Sequence, residues 1–461
     1  MDEIVFMKHF DIDIEEPPPD TIGKFNLQGK TILLVNTGSP NKRFIFERLK
    51  ELGLTIVVLH CEKNWAQPFV DHWILADTYN HRECVEQVKR FLLRNSNVRI
   101  EGVTTFWEDD IPLVAKICEE FHYCGNSTAA ALHTRSKFHM HEVLCDNGRP
   151  FIPQRLLENE NDLDEAMRSV GFPAVIKPKF GSDSQFVVYV ANETEARAGY
   201  QYVRENCTEA FDPIYYYNKG KFVYQKFVRG PEFSVECYVQ NGIPHVAGIN
   251  EKTGMELPFF METGDYCPAR LSDFQRQQLE EEVKAAVCAL GVENSLAHVE
   301  IKLTKNGPQI IEVASRMGGV YIYQNVKQVY GFDLIRAACE IALGIKVTEI
   351  PLPPQKYILA KFFIPKVSGI IAKMNGFGDL KRHAGVVDFY IGKTINDAIL
   401  VPPDGYETLG WVIAEGSSYK EARRIIDRIM GATALELTLP NIAPLPEARG
   451  VLAKVSVPLL S

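Results

Sequence analysis

The chain has 461 residues, length for about three domains at ~150 residues each. Its 46% hydrophobic and 24% charged residues match an ordinary globular protein, and a net charge of −9 without any cluster of Lys and Arg argues against nucleic acid as the main partner. No apolar run approaches the ~18 residues that span a bilayer, which argues against a membrane partner. The acidic start, MDEIVFMKHFDIDIEEPPPD, lacks the apolar core of a signal peptide, and the ten cysteines contain no CxxC pair. Most cysteines are therefore expected to be reduced core residues, in a cytoplasmic protein.

Residues 1–28 read as an irregular lead-in stiffened by Pro17-Pro18-Pro19. The strand Thr31–Asn36, the turn Thr37-Gly38-Ser39-Pro40, the amphipathic run Lys42–Leu52 and the strand Leu54–Leu59 follow the grammar of an open parallel sheet. Loops after such strands line the ligand crevice, so Thr37–Asn41 is a candidate substrate contact. There is no GxGxxG fingerprint here. Val103–Phe106 and the helix Asp110–Phe121 extend the unit, which closes near Cys124-Gly125-Asn126.

A single helical pattern, Ser127–Cys145, contains Lys137. Asp162–Val170 reads as a helix capped by Asn161, and Ala174–Pro178 as a strand. The polar loop Phe180–Gln185, with Ser182 in it, and the strand Phe186–Val190 come next. Strand, polar loop, strand suits a lid over phosphates, with Lys177 reaching beneath it as a point charge; the plainer alternative is a surface lysine on an edge strand. Phe222–Val228 reads as a buried strand, followed by Arg229–Glu232 and the alternating strand Phe233–Val239. Its apolar edge suits a flat purine ring, with Glu232 at the ribose, although a plain hairpin with a salt-bridged glutamate explains the segment alone. Gly264–Arg270 reads as irregular, and Asp273–Leu290 as an amphipathic helix.

Two β-type runs, Ala297–Leu303 and Gln309–Ala314, then form a hairpin candidate. A two-residue Asn306-Gly307 turn puts Glu300 and Glu312 on opposite faces. A three-residue Lys305-Asn306-Gly307 loop sets Glu300 directly across from Glu312. Carboxylates facing each other at roughly 5 Å repel, and a chain that places them so usually holds a divalent cation between them. Mg²⁺ fits, because it takes carboxylate and phosphate oxygens together. Arg316 adds a permanent cation and Gly318-Gly319 a backbone that a ligand can approach closely. The bland alternative is an exposed hairpin with two solvated glutamates. Beyond it, the helix Asp333–Leu343 ends at Gly344, Pro351–Pro354 reads as a linker, and residues 357–440 as a last small α/β segment.

The order of these parts resembles the ATP-grasp superfamily. The matching residues are Lys137, Lys177 in VIKP, the QKFVRGPEFSVE segment and HVEIKL…IIEVASRMGG, spread from about residue 30 to 435. Within the superfamily the chain looks most like the L-amino-acid ligase and carnosine-synthase type, through EKTGMELPFFMETGDYCPARLS and GWVIAEGSSYKEAR. The resemblance implies an α/β and α+β architecture: an N-terminal open parallel domain (29–126), an ATP-grasp domain (127–350, lid about 160–228) and a C-terminal α/β segment with tail (351–461). It implies ATP with its adenine against Gln225, Lys226, Phe227 and Val228, its ribose near Glu232 and its phosphates on Lys137, Lys177 and the Ser182 loop. It further implies that Glu300 and Glu312 ligate one or two Mg²⁺ ions, with Mn²⁺ as a substitute. A carboxylate would be activated as an acyl phosphate and captured by an amine, with Arg316 and the backbone of Gly318-Gly319 stabilising charge. Glu262 is placed to meet a substrate amino group and Arg270 a carboxylate; His298, across from Ala314, either lines the same site or is a structural histidine, the plainer reading. A homodimer is implied by resemblance only. The chain departs from the family pattern at Ala314, where many members carry a metal-binding Asn, at Gln225, often a Glu, and in a phosphate loop with a single glycine. Bicarbonate-dependent carboxylation and a catalytically idle nucleotide-binding module are the alternative functions.

Overall fold

The computed structural model describes residues 27–438, so expectations for most of the lead-in and for the tail lie outside the described residues. The strand β1 (Thr31–Val35) is buried along its whole length, and β2 (Thr55–His60) nearly so, because helices cover both faces of their sheet. With β3 (His72–Leu75) and β4 (Gly102–Thr104) they form a parallel sheet in the order β3-β2-β1-β4. The crossovers are α1 (Arg43–Glu51) and α2 (His81–Arg94), and α3 (Ile111–Phe121) follows β4. The strand β3 is four residues, too short to show a period in the sequence. The chain leaves β1 toward β2 on one side and returns to β4 on the other, so the loops after β1 and β4 flank a topological switch point. Gly38 has φ +61 there, and a Cβ on it would meet the Trp107 indole at 2.1 Å, so the two loops close on each other.

The single helix expected over 127–145 is two, α4 (Thr128–Arg135) and α5 (Lys137–Asp146). Ser136 breaks them with extended backbone (φ −94, ψ 106), and its hydroxyl accepts from the His139 amide at the start of α5. A four-stranded antiparallel sheet follows in the order β5-β8-β6-β7, from β5 (Gln154–Leu157), β6 (Ala174–Pro178), β7 (Val188–Val190) and β8 (Phe222–Lys226). The helices α6 (Glu160–Val170) and α7 (Glu193–Asn206) back it. The cap of α6 is Asn159 rather than Asn161, closed into a capping box with Asp162.

The central sheet has eight strands in the order β15-β14-β9-β10-β13-β16-β20-β18. They are β9 (Glu232–Gln240), β10 (Ile243–Lys252), β13 (Gly264–Cys267), β14 (Ser295–Thr304), β15 (Gly307–Ala314), β16 (Tyr357–Phe363), β18 (Val386–Ile391) and β20 (Gly410–Gly416). A two-residue ladder, β11 (Met255–Glu256) with β12 (Met261–Glu262), sits in the loop before β13. The segment expected to be irregular from Gly264 thus begins with a strand, which pairs β10 on one side and β16 on the other. Through that pairing one sheet runs across residue 350 into the C-terminal segment. There β17 (Gly369–Asn375), β19 (Ala398–Ile399) and β21 (Ala434–Thr438) form a three-stranded sheet, with α11 (Tyr419–Ala432) against the central sheet.

One face of the β14–β15 hairpin packs Val299, Ile301, Ile310 and Val313 onto Leu279, Val283 and Val287 of α8 (Asp273–Ala289). The helices α9 (Ile322–Tyr330) and α10 (Leu334–Ala342) cover part of the opposite face. Neither expected turn is the one observed. Lys305-Asn306 is the loop and Thr304 pairs with Gly307; the register then shifts by one residue between Glu300 and Ile301. Ile311 is the unmatched residue, and this bulge carries Glu312 to the face opposite the core, directly across from Glu300.

Candidate active site

Alternation and register together lay a grid of polar side chains on one face of the central sheet. His298 lies across from Glu236, Glu300 from Ser234 and Lys302 from Glu232; one strand further, Ser234 faces Asn250, and Lys252 faces Asp265 on β13. Above this face, the lid sheet, α5 and the Arg316–Ile322 loop enclose a cavity of about 330 Å³. Its wall includes the expected Lys137, Lys177, Ser182, Gln225, Lys226, Phe227, Val228 and Glu232, and also Glu262, His298, Glu300, Glu312, Arg316 and Gly319. Thr37–Asn41 is not in the wall, but Lys42 just beyond it lies close enough to feel Asp183 and Arg316.

The charges are paired tightly. Lys252, 3% exposed, stands 2.7 Å from Glu300, 2.9 Å from Glu232 and 2.6 Å from Glu262. Lys137 pairs with Glu312, and Lys177 donates to Gln225 at 2.8 Å. Burial opposes charge on Glu300 and Glu312. Lys252 beside the first and Lys137 beside the second outweigh it and hold both carboxyls below the ordinary range. Burial, then the neighbouring Lys137, lowers Lys177 to about 8. Desolvation opposes charge on the partly buried His298 too, yet its ion pair with Glu236 pushes it up to about 10. Glu236 also accepts from the Gly318 amide at 3.0 Å, so that amide is engaged inside the protein and Gly319 is the glycine in the cavity wall.

Arg316 is fixed from the N-terminal domain. Its Nε lies 2.7 Å from Glu108 in the loop after β4, and the same carboxylate lies 3.9 Å from Arg135. Arg135 in turn donates to the Gly181 carbonyl at 3.4 Å and stacks over Phe180. The Phe180–Gln185 loop is tied down by Asn218, which accepts from the Phe180 amide and donates to its carbonyl, each at 2.7 Å. Asp183 and Ser184 hold left-handed backbone (φ 54 and 55) without glycine, strain that suits a functional loop.

One expectation for the substrate end is corrected. Arg270 does not reach the cavity: it makes a two-pronged ion pair with Glu251 at 2.9 and 2.7 Å and lies over the Tyr266 ring. Glu262 is in the wall, where Lys252 pairs with its Oε1 at 2.6 Å. Lys252, Glu108, Glu236 and Asp265 were not singled out by sequence. Each needs a long-range pairing to become meaningful; the local signal was the alternating run Phe233–Val239 around Glu236, which marks a strand and not a role. All ten cysteines are free and six are buried, as expected of core thiols. Among the described residues no helix is long and apolar enough to cross a membrane.

Residues 170–324 match the ATP-grasp domain family, and residues 361–438 match the L-amino acid ligase C-terminal domain 2. The chain is 30% identical to carnosine synthase 1 of Gallus gallus over 344 residues, covering 72% of this chain and 37% of that protein. It is 26% identical to the alanine–anticapsin ligase of Bacillus subtilis, covering 55% of this chain and 56% of that one. It thus spans about two fifths of the length of the carnosine synthases it matches, at 42%, 41% and 37%. The crystal structure of L-amino acid ligase from Bacillus licheniformis superposes with a TM-score of 0.78 at 24% identity, over 89% of this chain and 99% of that one. The chain therefore carries an ATP-grasp domain followed by an L-amino acid ligase C-terminal domain, built on the ATP-grasp fold.

Proposed function

We propose that the chain is an ATP- and Mg²⁺-dependent ligase that activates a carboxylate as an acyl phosphate and joins it to the amine of an amino acid, releasing ADP and phosphate. The observation that carries this reading is the convergence of Glu300, Glu312, Lys137, Lys177 and Arg316 on one cavity. The two carboxylates fit a divalent cation, since they face each other on adjacent strands. Two carboxylates completed by substrate phosphates is the usual donor set for Mg²⁺, and Mn²⁺ substitutes for it. A divalent cation held by Glu300 and Glu312 would supply positive charge that offsets the charge of the phosphates.

Lys137 and Lys177 hold the phosphates, and the Ser182 loop closes over them to exclude water from a hydrolysable intermediate. The strand end at Gln225–Val228 receives the adenine. A carboxylate oxygen attacks the γ-phosphorus and ADP leaves; the amine then attacks the acyl carbon, phosphate leaves and the nitrogen gives up a proton. Arg316, held by Glu108, stabilises charge on the transferring phosphoryl group and on the tetrahedral intermediate, with the backbone at Gly319 beside it. The match to an L-amino acid ligase C-terminal domain favours an amino-acid substrate over bicarbonate. The same reading assigns a homodimer in the cytoplasm.

The test is ADP and phosphate release from ATP with Mg²⁺, against amino acids singly, in pairs and with bicarbonate. Release that depends on a particular pair supports the ligase and names both substrates. Release driven by bicarbonate alone moves the protein to carboxylation.

A further inference from the structure

Phe186 closes the Phe180–Gln185 loop with left-handed backbone (φ 56), a conformation that costs an aromatic residue energy and lasts only where its surroundings over-determine it. Asp183 and Ser184 share it, so the end of the loop is held against its own preference. What holds Phe186 is an aromatic box. Its ring is 1% exposed, and its centroid lies 4.8 Å from that of Phe211, 5.5 Å from Tyr215 and 5.2 Å from Tyr406. Phe211 and Tyr215 belong to the lid. Tyr406 comes from the C-terminal domain, in the loop between β19 and β20.

That loop is braced from within. Glu407 pairs with Lys393 at 2.7 Å and accepts from the Leu400 amide at 2.8 Å, and the Ser368 hydroxyl donates to Asp404 at 3.0 Å. It presents the Pro403 carbonyl to Tyr202 of α7, whose hydroxyl donates there at 2.9 Å and lies 3.2 Å from the Tyr406 hydroxyl. Tyr406 and Thr408 also reach the wall of the cavity that Ser182, Asp183, Ser184 and Gln185 line. The lid is a separate four-stranded sheet, so it can move off the central sheet only by pulling Phe186 and Tyr202 away from this loop. A contact made in one lid position and lost in another shifts the equilibrium between them. The reaction as proposed gives the C-terminal domain no task, yet an acyl phosphate needs a lid that stays shut until the amine attacks.

Resting on the ligase reading above, we propose that Tyr406 is a positioning residue: through it the C-terminal domain catches the lid at Phe186 and holds the Phe180–Gln185 loop closed over the phosphates. The catch takes no part in bond making. It sets how long water is kept from the intermediate.

The experiment compares the full chain with Tyr406→Leu, which removes the ring, and Tyr406→Phe, which removes only the hydroxyl. With Mg²⁺ and a non-hydrolysable ATP analogue, the readouts are amide hydrogen exchange over residues 180–187 and the rate of nucleotide release. With ATP and the amino-acid panel, the readout is ADP released per amide bond formed. Tyr406→Leu should speed loop exchange and nucleotide release about tenfold and raise the ADP-to-amide ratio, because water reaches the intermediate. Tyr406→Phe, which leaves the ring in the box, should recover most of each effect. A tyrosine with only a structural task would lower the melting temperature and leave loop exchange and nucleotide release as in the wild type, and that result overturns the proposal. So does an unchanged ADP-to-amide ratio in a chain that makes amide. If Tyr406→Leu fails to fold by circular dichroism, Tyr202→Phe takes its place, since it breaks the bond to Pro403 from the lid side, and unchanged loop exchange there overturns the proposal equally. Loop exchange and nucleotide release that depend on Tyr406, in a chain that releases no ADP with any amino-acid pair, keep the catch and remove the ligase reading.

Discussion

Glu300 and Glu312 face each other on paired strands, an arrangement that costs stability unless positive charge lies between them. Lys252 and Lys137 supply it in this structure. Glu312→Gln removes one charge and almost no volume, so turnover should fall at least about a hundredfold with the fold kept by circular dichroism, while the melting temperature drops because Lys137 loses its partner. A variant with most of its activity would remove Glu312 from the metal site. Lys177 gives a pH signature. Its free-protein value of about 8, against 10.5 for an ordinary lysine, means that phosphate binding restores a charge that burial and Lys137 disfavour. Glu312, Glu300 and Glu232 act the other way without overcoming this. Nucleotide binding therefore takes up a proton above pH 8, and affinity for ATP should fall by up to about tenfold per pH unit as pH rises through that value. Lys177→Arg, which keeps its proton, should flatten the profile; an identical slope in the variant would assign the titration elsewhere.

Between α4 and α5 a single residue decides where Lys137 points. Ser136 stops one helix, caps the next and leaves Lys137 as the first helical residue, its amide donating 3.0 Å to the Lys179 carbonyl of the lid. Ser136→Ala should cost about 1 kcal/mol by denaturant unfolding and raise the KM for ATP, because the cap also sets the angle of the lysine. Loss of stability with an unchanged KM would confine Ser136 to a structural task. The hairpin makes a similar point. Its tight Lys305-Asn306 loop alone would turn Glu312 toward α8, and the Ile311 bulge reverses the face. The unmatched carbonyl of Ile311 is not wasted, since it meets His141 Nε2 at 3.2 Å.

Across the whole molecule, the N-terminal sheet touches the chemistry through Glu108. Its carboxylate lies between Arg316 and Arg135, and so ties the switch-point loop after β4 to both the hairpin side and the phosphate loop. Glu108→Gln keeps the shape but loosens Arg316. Turnover should drop about 10- to 100-fold, with the KM for ATP within about twofold. Equal kcat in the two proteins would show that Arg316 needs no support from this domain. The lid touches the same domain elsewhere, where Tyr217 meets His81 at 3.1 Å and its ring lies tilted against Tyr79.

By itself, the sequence determined the parts whose signals are local. Apolar runs marked β1, β2, β6 and β8 nearly to the residue, and the order of lysines, acids and arginine pointed to nucleotide chemistry. Glu300 and Glu312 were legible as a facing pair because a hairpin is a local structure, although the loop that was expected to align them is not the one that does. What only the tertiary structure decided is how distant strands meet. Lys252 became the hub of three glutamates, Arg270 turned out to Glu251, and Asp265 was left with a free oxygen. Strand order in an eight-stranded sheet is set by packing between segments far apart in the chain, and side-chain partners across strands follow that order rather than any spacing along the sequence.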